Sequence, residues 1–201
     1  MPDAVNRVAI HERRAGRSME ESGSVATAID RNVWQYLVDA TSGAYDPAVD
    51  TSDLREERVA ALRIVLYTPS ILCITPSVHA EFERIGDPRR WRENAGIRDV
   101  FIREVQPRDL DSGVAETRRR VLQAHHADPD DCRVVAEAEA ARVWRFISFD
   151  TLLVQHLASH TTLILTHPSL YWRELRVPQG ANPRLSPAPS NPLSTQSWWR
   201  W

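Results

Sequence analysis

Residues 25–30 read Val25-Ala26-Thr27-Ala28-Ile29-Asp30, a short run of mostly small apolar side chains that ends in an acid. An apolar run of this length predicts a buried strand of a parallel sheet, and the amphipathic stretch from Asn32 predicts a helix directly after it. A carboxylate at the end of a buried strand costs free energy unless a partner compensates its charge. Asp30 is therefore the first candidate functional residue.

The same unit of a strand followed by a helix recurs along the chain, and between units the segment from Gly86 to Arg98 is interpreted as a loop with a short helix. This alternation predicts an α/β fold with a central, mostly parallel sheet and helices on both faces. The predicted strands are Val25–Asp30, Ile71–Thr75, Val100–Val105, Arg145–Phe149 and Thr162–Thr166. The predicted helices are Asn32–Ala40, Leu54–Tyr67 with Ser52 or Asp53 as cap, Pro76–Ile85 with Thr75 as cap, Ser112–Gln123 with Ser112 as cap, Asp128–Val143, Thr151–Ser159 and Pro168–Leu175.

Three further acids occupy positions comparable to that of Asp30. Glu81 lies in the first turns of the helix after the second strand, and Asp150 ends the run Phe146–Phe149. Asp131 lies at a helix start and is preferred over its neighbour Asp130, because its helical spacing places it on the apolar face. The residues three, four and seven positions after Asp131 are Val134, Val135 and Ala138.

These acids are expected to share one edge of the sheet, because functional groups collect at the carboxyl ends of parallel strands. Carboxylates at such short distances repel one another, and a bound hard cation such as Mg2+ or Mn2+ offsets that repulsion. Such an ion activates water and neutralises charge on a phosphate. The pattern therefore predicts phosphodiester hydrolysis.

Four short motifs resemble the successive acidic motifs of the PIN-domain ribonucleases, especially the VapC-like toxins of toxin-antitoxin pairs. The motifs are Asp30-Arg31-Asn32, Pro76-Ser77-Val78-His79-Ala80-Glu81, Asp131-Cys132-Arg133-Val134-Val135-Ala136 and Ser148-Phe149-Asp150, and Thr166-His167-Pro168 resembles the exit of the last strand. The resemblance extends from about residue 24 to residue 176 and implies a three-layer α/β/α PIN-like fold. It also implies a metal-dependent endoribonuclease, a hydrolase that uses Mg2+ or Mn2+ to cut RNA phosphodiester bonds.

By the same resemblance, Asp30, Glu81, Asp131 and Asp150 are the catalytic, metal-binding acids. The resemblance further implies supporting hydrogen bonds from Asn32 and Ser148. The partners it implies are an RNA substrate, a protein antitoxin if the protein is a toxin, and a second copy of the chain in a homodimer.

Arg31 departs from the family, which usually carries a small residue such as Thr or Ser at this position. A cation there weakens metal binding or contacts RNA, and the alternative function is therefore a catalytically silent PIN-like RNA-binding or regulatory module. Arg89, Arg90 and Arg92 surround Trp91 and form a candidate RNA-binding surface with Arg31, although a solvated face explains them as well.

Simpler explanations exist for single residues of the site. Asp131 and Asp150 at helix starts stabilise the helix without any metal. Glu81 has arginines such as Arg84 within reach as ion-pair partners. His156 and His160 share the spacing of a zinc pair, but no Glu lies between them to complete a metalloprotease motif.

Composition indicates an ordinary globular protein, with 42% hydrophobic and 26% charged residues and a net charge of -2. All 25 basic residues are arginine, yet the overall charge lacks the strongly basic balance of many nucleic-acid-binding domains. Cys73 and Cys132 are predicted to be buried reduced thiols. No signal peptide or membrane span is recognised, and a cytoplasmic location without membrane insertion is expected.

Three regions are predicted along the chain. Residues 1–22 form a flexible N-terminal arm, residues 23–177 form the PIN-like domain, and residues 178–201 form a linker-like Pro/Ser-rich tail with a Trp-rich end. For the tail tryptophans, stacking on RNA, packing on a partner and disorder all stay open.

Overall fold

A computed structural model describes residues 26–105 and 110–201, and the predicted arm over residues 1–22 lies outside that range. The described residues contain five short strands, and every pairing between them is parallel. The strands are β1 Thr27–Ile29, β2 Leu72–Ile74, β3 Ile102–Glu104, β4 Arg145–Ile147 and β5 Ile164–Thr166. Their order across the sheet is β3-β2-β1-β4-β5.

Eight α-helices flank this sheet in the described part of the chain and give a three-layer α/β/α architecture. The helices are α1 Arg31–Ser42, α2 Arg55–Tyr67, α3 Pro76–Glu83, α4 Pro88–Phe101, α5 Ser112–Leu122, α6 Pro129–Ala140, α7 Thr151–Leu157 and α8 Pro168–Glu174. The predicted fold class, an α/β protein with a central parallel sheet, is confirmed. The residues of the three central strands, β1, β2 and β4, are buried because helices cover both faces of the sheet.

The strand order fixes where a site can form. From β1 the chain builds outward through β2 to β3, and it then returns to the other side of β1 to add β4 and β5. The carboxyl ends of β1 and β4 therefore flank a topological switch point, where open α/β sheets place their ligand crevices.

Helix α4 corrects the prediction of a loop with a short helix over residues 86–98. The Asp87 carboxylate accepts hydrogen bonds from the backbone N–H groups of Arg89 at 2.8 Å and Arg90 at 3.4 Å, and it thus caps the helix start. The indole N–H of Trp34 donates to the buried side chain of Asn94 at 2.8 Å. Capping and this tertiary anchor extend the helix to residue 101, so β3 begins later than predicted.

The predicted helix caps at Ser52 or Asp53 and at Ser112 are also wrong. Helix α2 begins after Leu54 without a side-chain cap, and the Ser52 hydroxyl donates instead to Asp50 at 2.6 Å. Helix α5 is capped by Asp111. Thr75 holds the predicted cap position of α3 without a capping hydrogen bond.

A carboxylate from another helix binds the start of α3. Glu137 on α6 accepts hydrogen bonds from the Ser77 N–H at 3.0 Å and from its hydroxyl at 2.6 Å. A negative charge suits the positive end of the helix dipole, so this contact fixes α3 to α6. A glutamate of α2, Glu57, binds Ser169 at the start of α8 in the same way.

The tail packs on the domain rather than extending from it as a linker. Trp199 is fully buried and its indole N–H donates to the Leu193 carbonyl at 3.0 Å. The guanidinium of Arg63 on α2 donates to the carbonyls of Trp199 at 3.1 Å and Arg200 at 2.8 Å. Asn191 is buried as well. Apolar burial and satisfied backbone groups thus hold residues 191–201 in place.

Candidate functional site

Asp30 and Asp150 emerge at the switch point, from the neighbouring strands β1 and β4. Each caps the helix that follows it. The carboxylate of Asp30 accepts the Val33 N–H at 2.7 Å, and that of Asp150 accepts the Leu153 N–H at 2.9 Å. The capping explanation for Asp150 thus describes a real contact. Each of the two capping carboxylates retains further acceptor capacity, because a carboxylate has two oxygens.

Ser148 joins the two acids from the end of β4. Its hydroxyl donates to the Asp30 carboxylate and accepts the Asp150 N–H at 2.8 Å. Ser148 is fully buried, and its carbonyl oxygen lies 3.0 Å from Nδ1 of His167. A buried hydroxyl that both donates and accepts fixes the orientation of its partners.

Asp30 is the most perturbed acid at this edge. Its pKa is raised from 3.8 to about 6, chiefly by burial and also by the nearby negative charges of Asp131 and Asp150, while the hydrogen bonds from Ser148 and Val33 oppose the rise. Those hydrogen-bond partners are neutral groups. The carboxylate of Asp30 is therefore enclosed and close to like charge, and both effects favour its protonated form.

Asp131 belongs to the same electrostatic group. Burial, followed by the charges of Asp128 and Asp150, raises its pKa, while the hydrogen bond with His126 opposes that effect. Its side chain is 31% exposed against 71% for Asp130, in agreement with the choice of Asp131 by helical spacing.

His126 was not among the residues predicted for the site, and it contacts Asp131. Its Nε2 lies 2.8 Å from the Asp131 carboxylate, and its Nδ1 lies 3.3 Å from Nδ1 of His156. The imidazole is buried at the junction of α5 and α6. No local sequence signal marks this contact, because it depends on how the turn after α5 packs against the start of α6.

Glu81, the fourth predicted acid, is engaged by an arginine. Its carboxylate forms an ion pair with Arg31 at 2.9 Å, and the Glu81 side chain is 27% exposed. The arginine that departs from the family pattern thus holds one of the four predicted metal-binding acids. In residues 26–105 and 110–201, no three His, Cys, Asp or Glu side chains converge as a group that could hold a metal ion.

The arginines proposed to contact RNA are exposed. Arg31 is 63% exposed at its side chain, and Arg89, Arg90 and Arg92 lie on the exposed first turns of α4. Trp91 among them is 39% exposed. These positions leave both the RNA-binding and the solvated-face interpretations standing.

A cavity of about 500 Å3 adjoins Asp150 and Asn32 at this edge of the sheet. Tyr36 and Phe149 are buried in its wall, and the half-buried Tyr45 contacts Tyr36 edge to face at 4.9 Å between ring centroids. Polar side chains complete the lining, among them Gln35, Asp39 and Arg58. Of the lining residues, Asn32 and Asp150 were predicted from the sequence as site residues.

Both cysteines are free and buried, as predicted. No helix in the described residues is long and apolar enough to cross a membrane.

Comparisons with known proteins give a likeness to solved structures. No family model matches the chain, and no curated protein matches it either. Among solved structures, the chain is similar to "VapBC2 from Rickettsia felis bound to a DNA fragment from their promoter", with a TM-score of 0.45 and 11% sequence identity over 70% of this chain and 97% of that chain. The strand order and the parallel pairing establish the fold of the chain.

Proposed function

We propose that this protein is a metal-dependent endoribonuclease that hydrolyses RNA phosphodiester bonds. One observation carries the proposal. The enclosed carboxylate of Asp30, with a pKa raised to about 6, lies at the switch point under the influence of Asp131 and Asp150, and its hydrogen-bond partners are neutral. The order of the acidic motifs along the sequence supports the same function.

The chemistry of these donors fits Mg2+ or Mn2+, since both ions prefer carboxylate oxygen ligands. These acids do not converge as a metal-binding group in the described residues, so Asp30, Asp131 and Asp150 would have to draw together around the ion. Glu81 would join them only after it leaves Arg31. A bound ion would polarise a water and offset the charge that builds on the phosphate.

The chain's own residues prepare the acids for this role. Ser148 fixes one oxygen of Asp30 and the backbone of Asp150, and His126 restrains Asp131 through the 2.8 Å contact. Restraint of this kind keeps ligands in one orientation and lowers the ordering cost of binding a cation. Arg31 supplies positive charge beside the acids, where an RNA phosphate would approach.

Cleavage of labelled RNA tests the proposal directly. The purified protein should cut RNA with Mg2+ or Mn2+, stop with EDTA, and lose activity in Asp30→Asn. Asp111→Asn is the matched control, because Asp111 also caps a helix but lies on α5, in an exposed position. Full activity of Asp30→Asn would contradict the assignment.

The Arg31–Glu81 ion pair favours a second candidate, a catalytically silent PIN-like module that binds RNA or regulates a partner. An arginine at 2.9 Å from Glu81 supplies the positive charge that a metal would otherwise bring. Titration calorimetry separates the two candidates: RNA binding without detectable Mn2+ binding supports the silent module, and Mn2+ binding that Asp30→Asn abolishes supports the nuclease.

A role as a toxin is proposed in addition, on the resemblance of the sequence motifs to those of the VapC-like toxins. It requires a small protein antitoxin that covers the acidic site. Expression of the chain alone should then arrest bacterial growth, and Asp30→Asn should relieve the arrest. Harmless overproduction of active enzyme would count against this role.

A further inference from the structure

We propose that the cavity beside Asp150 binds a nucleobase with an exocyclic amino group, next to the phosphodiester that the protein cleaves. This inference rests on the proposed function and names what part of the RNA it recognises. The cavity volume of about 500 Å3 is within the range of small-molecule sites and large enough for one base.

The walls of the cavity suit a flat ring. Tyr36 and Phe149 are buried in the wall with ring centroids 5.9 Å apart, and Tyr45 closes it from the loop after α1. Aromatic side chains are the usual platforms for unstacked bases of single-stranded RNA. Asn32 and Asp150 line the same cavity, which places it directly beside the acidic site.

The charges of the lining select a base over a phosphate. Asp39 brings a negative charge to the lining, and Arg58, the arginine among the described lining residues, is already paired with Asp50 at 2.8 Å. A phosphate would meet repulsion from Asp39, whereas a neutral base brings an N–H donor to this carboxylate.

The polar lining also distinguishes between bases. Asp39 accepts a hydrogen bond from the Gln35 amide at 2.9 Å, and its carboxylate retains acceptor capacity for a second donor. Adenine, cytosine and guanine offer an exocyclic amino group to such an acceptor. Uracil presents a single N–H flanked by two carbonyl oxygens, which a carboxylate repels.

Binding of short RNA tests this inference without depending on cleavage. The probes are fluorescent oligo-A, oligo-C and oligo-U hexaribonucleotides, and the protein is the Asp30→Asn variant in magnesium buffer. Oligo-A and oligo-C should bind about tenfold more tightly than oligo-U, as one hydrogen bond to a charged acceptor predicts. Adding Asp39→Asn should reduce this preference to about twofold, because an amide offers a donor as well as an acceptor.

Two further variants complete the test. Asp46→Asn is the matched control and should preserve the preference. Asp46 is exposed in the loop after α1 and lines a different cavity. Gln35→Leu should also weaken the preference for oligo-A and oligo-C, because it removes the amide that holds the Asp39 carboxylate in place. It provides the readout where Asp39→Asn does not fold. A preference unchanged by both Asp39→Asn and Gln35→Leu, in a protein whose wild type cleaves RNA, overturns the base site alone. Absence of both RNA binding and cleavage in the wild type overturns the proposed function and the base site with it.

Discussion

Asp30 carries a charge that the metal-free fold tolerates poorly, and replacing it with asparagine should make the metal-free protein more stable at neutral pH. Folding raises the pKa of Asp30 from 3.8 to about 6 and thereby favours the protonated carboxyl. The stabilisation from this group is complete below about pH 3.8 and is lost as the pH rises through about 6.

The expected size follows from the pKa change. One pH unit corresponds to about 1.4 kcal/mol, so the full effect is about 3 kcal/mol. Asp30 as a residue keeps partial contact with solvent, although its carboxylate is enclosed, and screening lowers the expected gain to about 1–3 kcal/mol. Asparagine caps helices about as well as aspartate, so the contact with Val33 survives the substitution.

Urea unfolding with EDTA at pH 4.0 and pH 7.5 measures this effect. At pH 7.5, Asp30→Asn should have the higher free energy of unfolding, and the gap should narrow strongly at pH 4.0. The control Asp111→Asn should differ from wild type by less than about 0.5 kcal/mol at both values. An Asp30→Asn protein less stable than wild type at pH 7.5 without metal would refute the reasoning.

Adding Mn2+ should reverse the order of stability. Binding to the folded wild type at one hundred times the dissociation constant stabilises it by about 2.7 kcal/mol. Asp30→Asn should gain little, because it lacks the central carboxylate. A gain of equal size in both proteins would place any metal site elsewhere.

Three further predictions concern the tail, the start of α3 and the ion pair beside the site. Trp199→Ala should lower the free energy of unfolding by about 3–5 kcal/mol, because the buried ring leaves a cavity; Trp144→Ala, at a 48% exposed position, is the control and should cost less than about 1 kcal/mol. Glu137→Gln should cost about 1–2 kcal/mol in the same assay, because it removes the negative charge at the α3 start; an unchanged stability would contradict this contact. Arg31→Thr should release Glu81 and strengthen Mn2+ binding several-fold by calorimetry, and weaker binding would show that Arg31 helps to hold the site.

Much of the fold could be predicted from local pattern. Short apolar runs bounded by helix starts, such as the one ending at Asp30, predict strands of a buried parallel sheet, since both faces of such strands are covered. Asp30 and Asp150 could be placed at one edge because parallel strands end on the same side. Helical spacing distinguished Asp131 from Asp130, because the residues three, four and seven positions later are all apolar only for Asp131.

Contacts between distant residues could not be predicted in this way. The pairing of Arg31 on α1 with Glu81 on α3 and the contact of His126 with His156 on α7 depend on how separate elements pack. Helix α4 extends beyond its weak local signal because Trp34 anchors Asn94 from another helix. A local sequence pattern reports which residues are near one another along the chain, whereas these contacts depend on which elements pack together in space.

The sequence by itself determined the α/β class, the order of the strands along the chain and the acids that follow them, because periodicity and helix-start chemistry are local. Only the tertiary structure decided that Asp30, Asp131 and Asp150 influence one another while Glu81 pairs with Arg31. It also decided that Trp199 packs into the core of its own chain. Distances between carboxylates, and the burial that perturbs them, arise only when separate elements pack against one another.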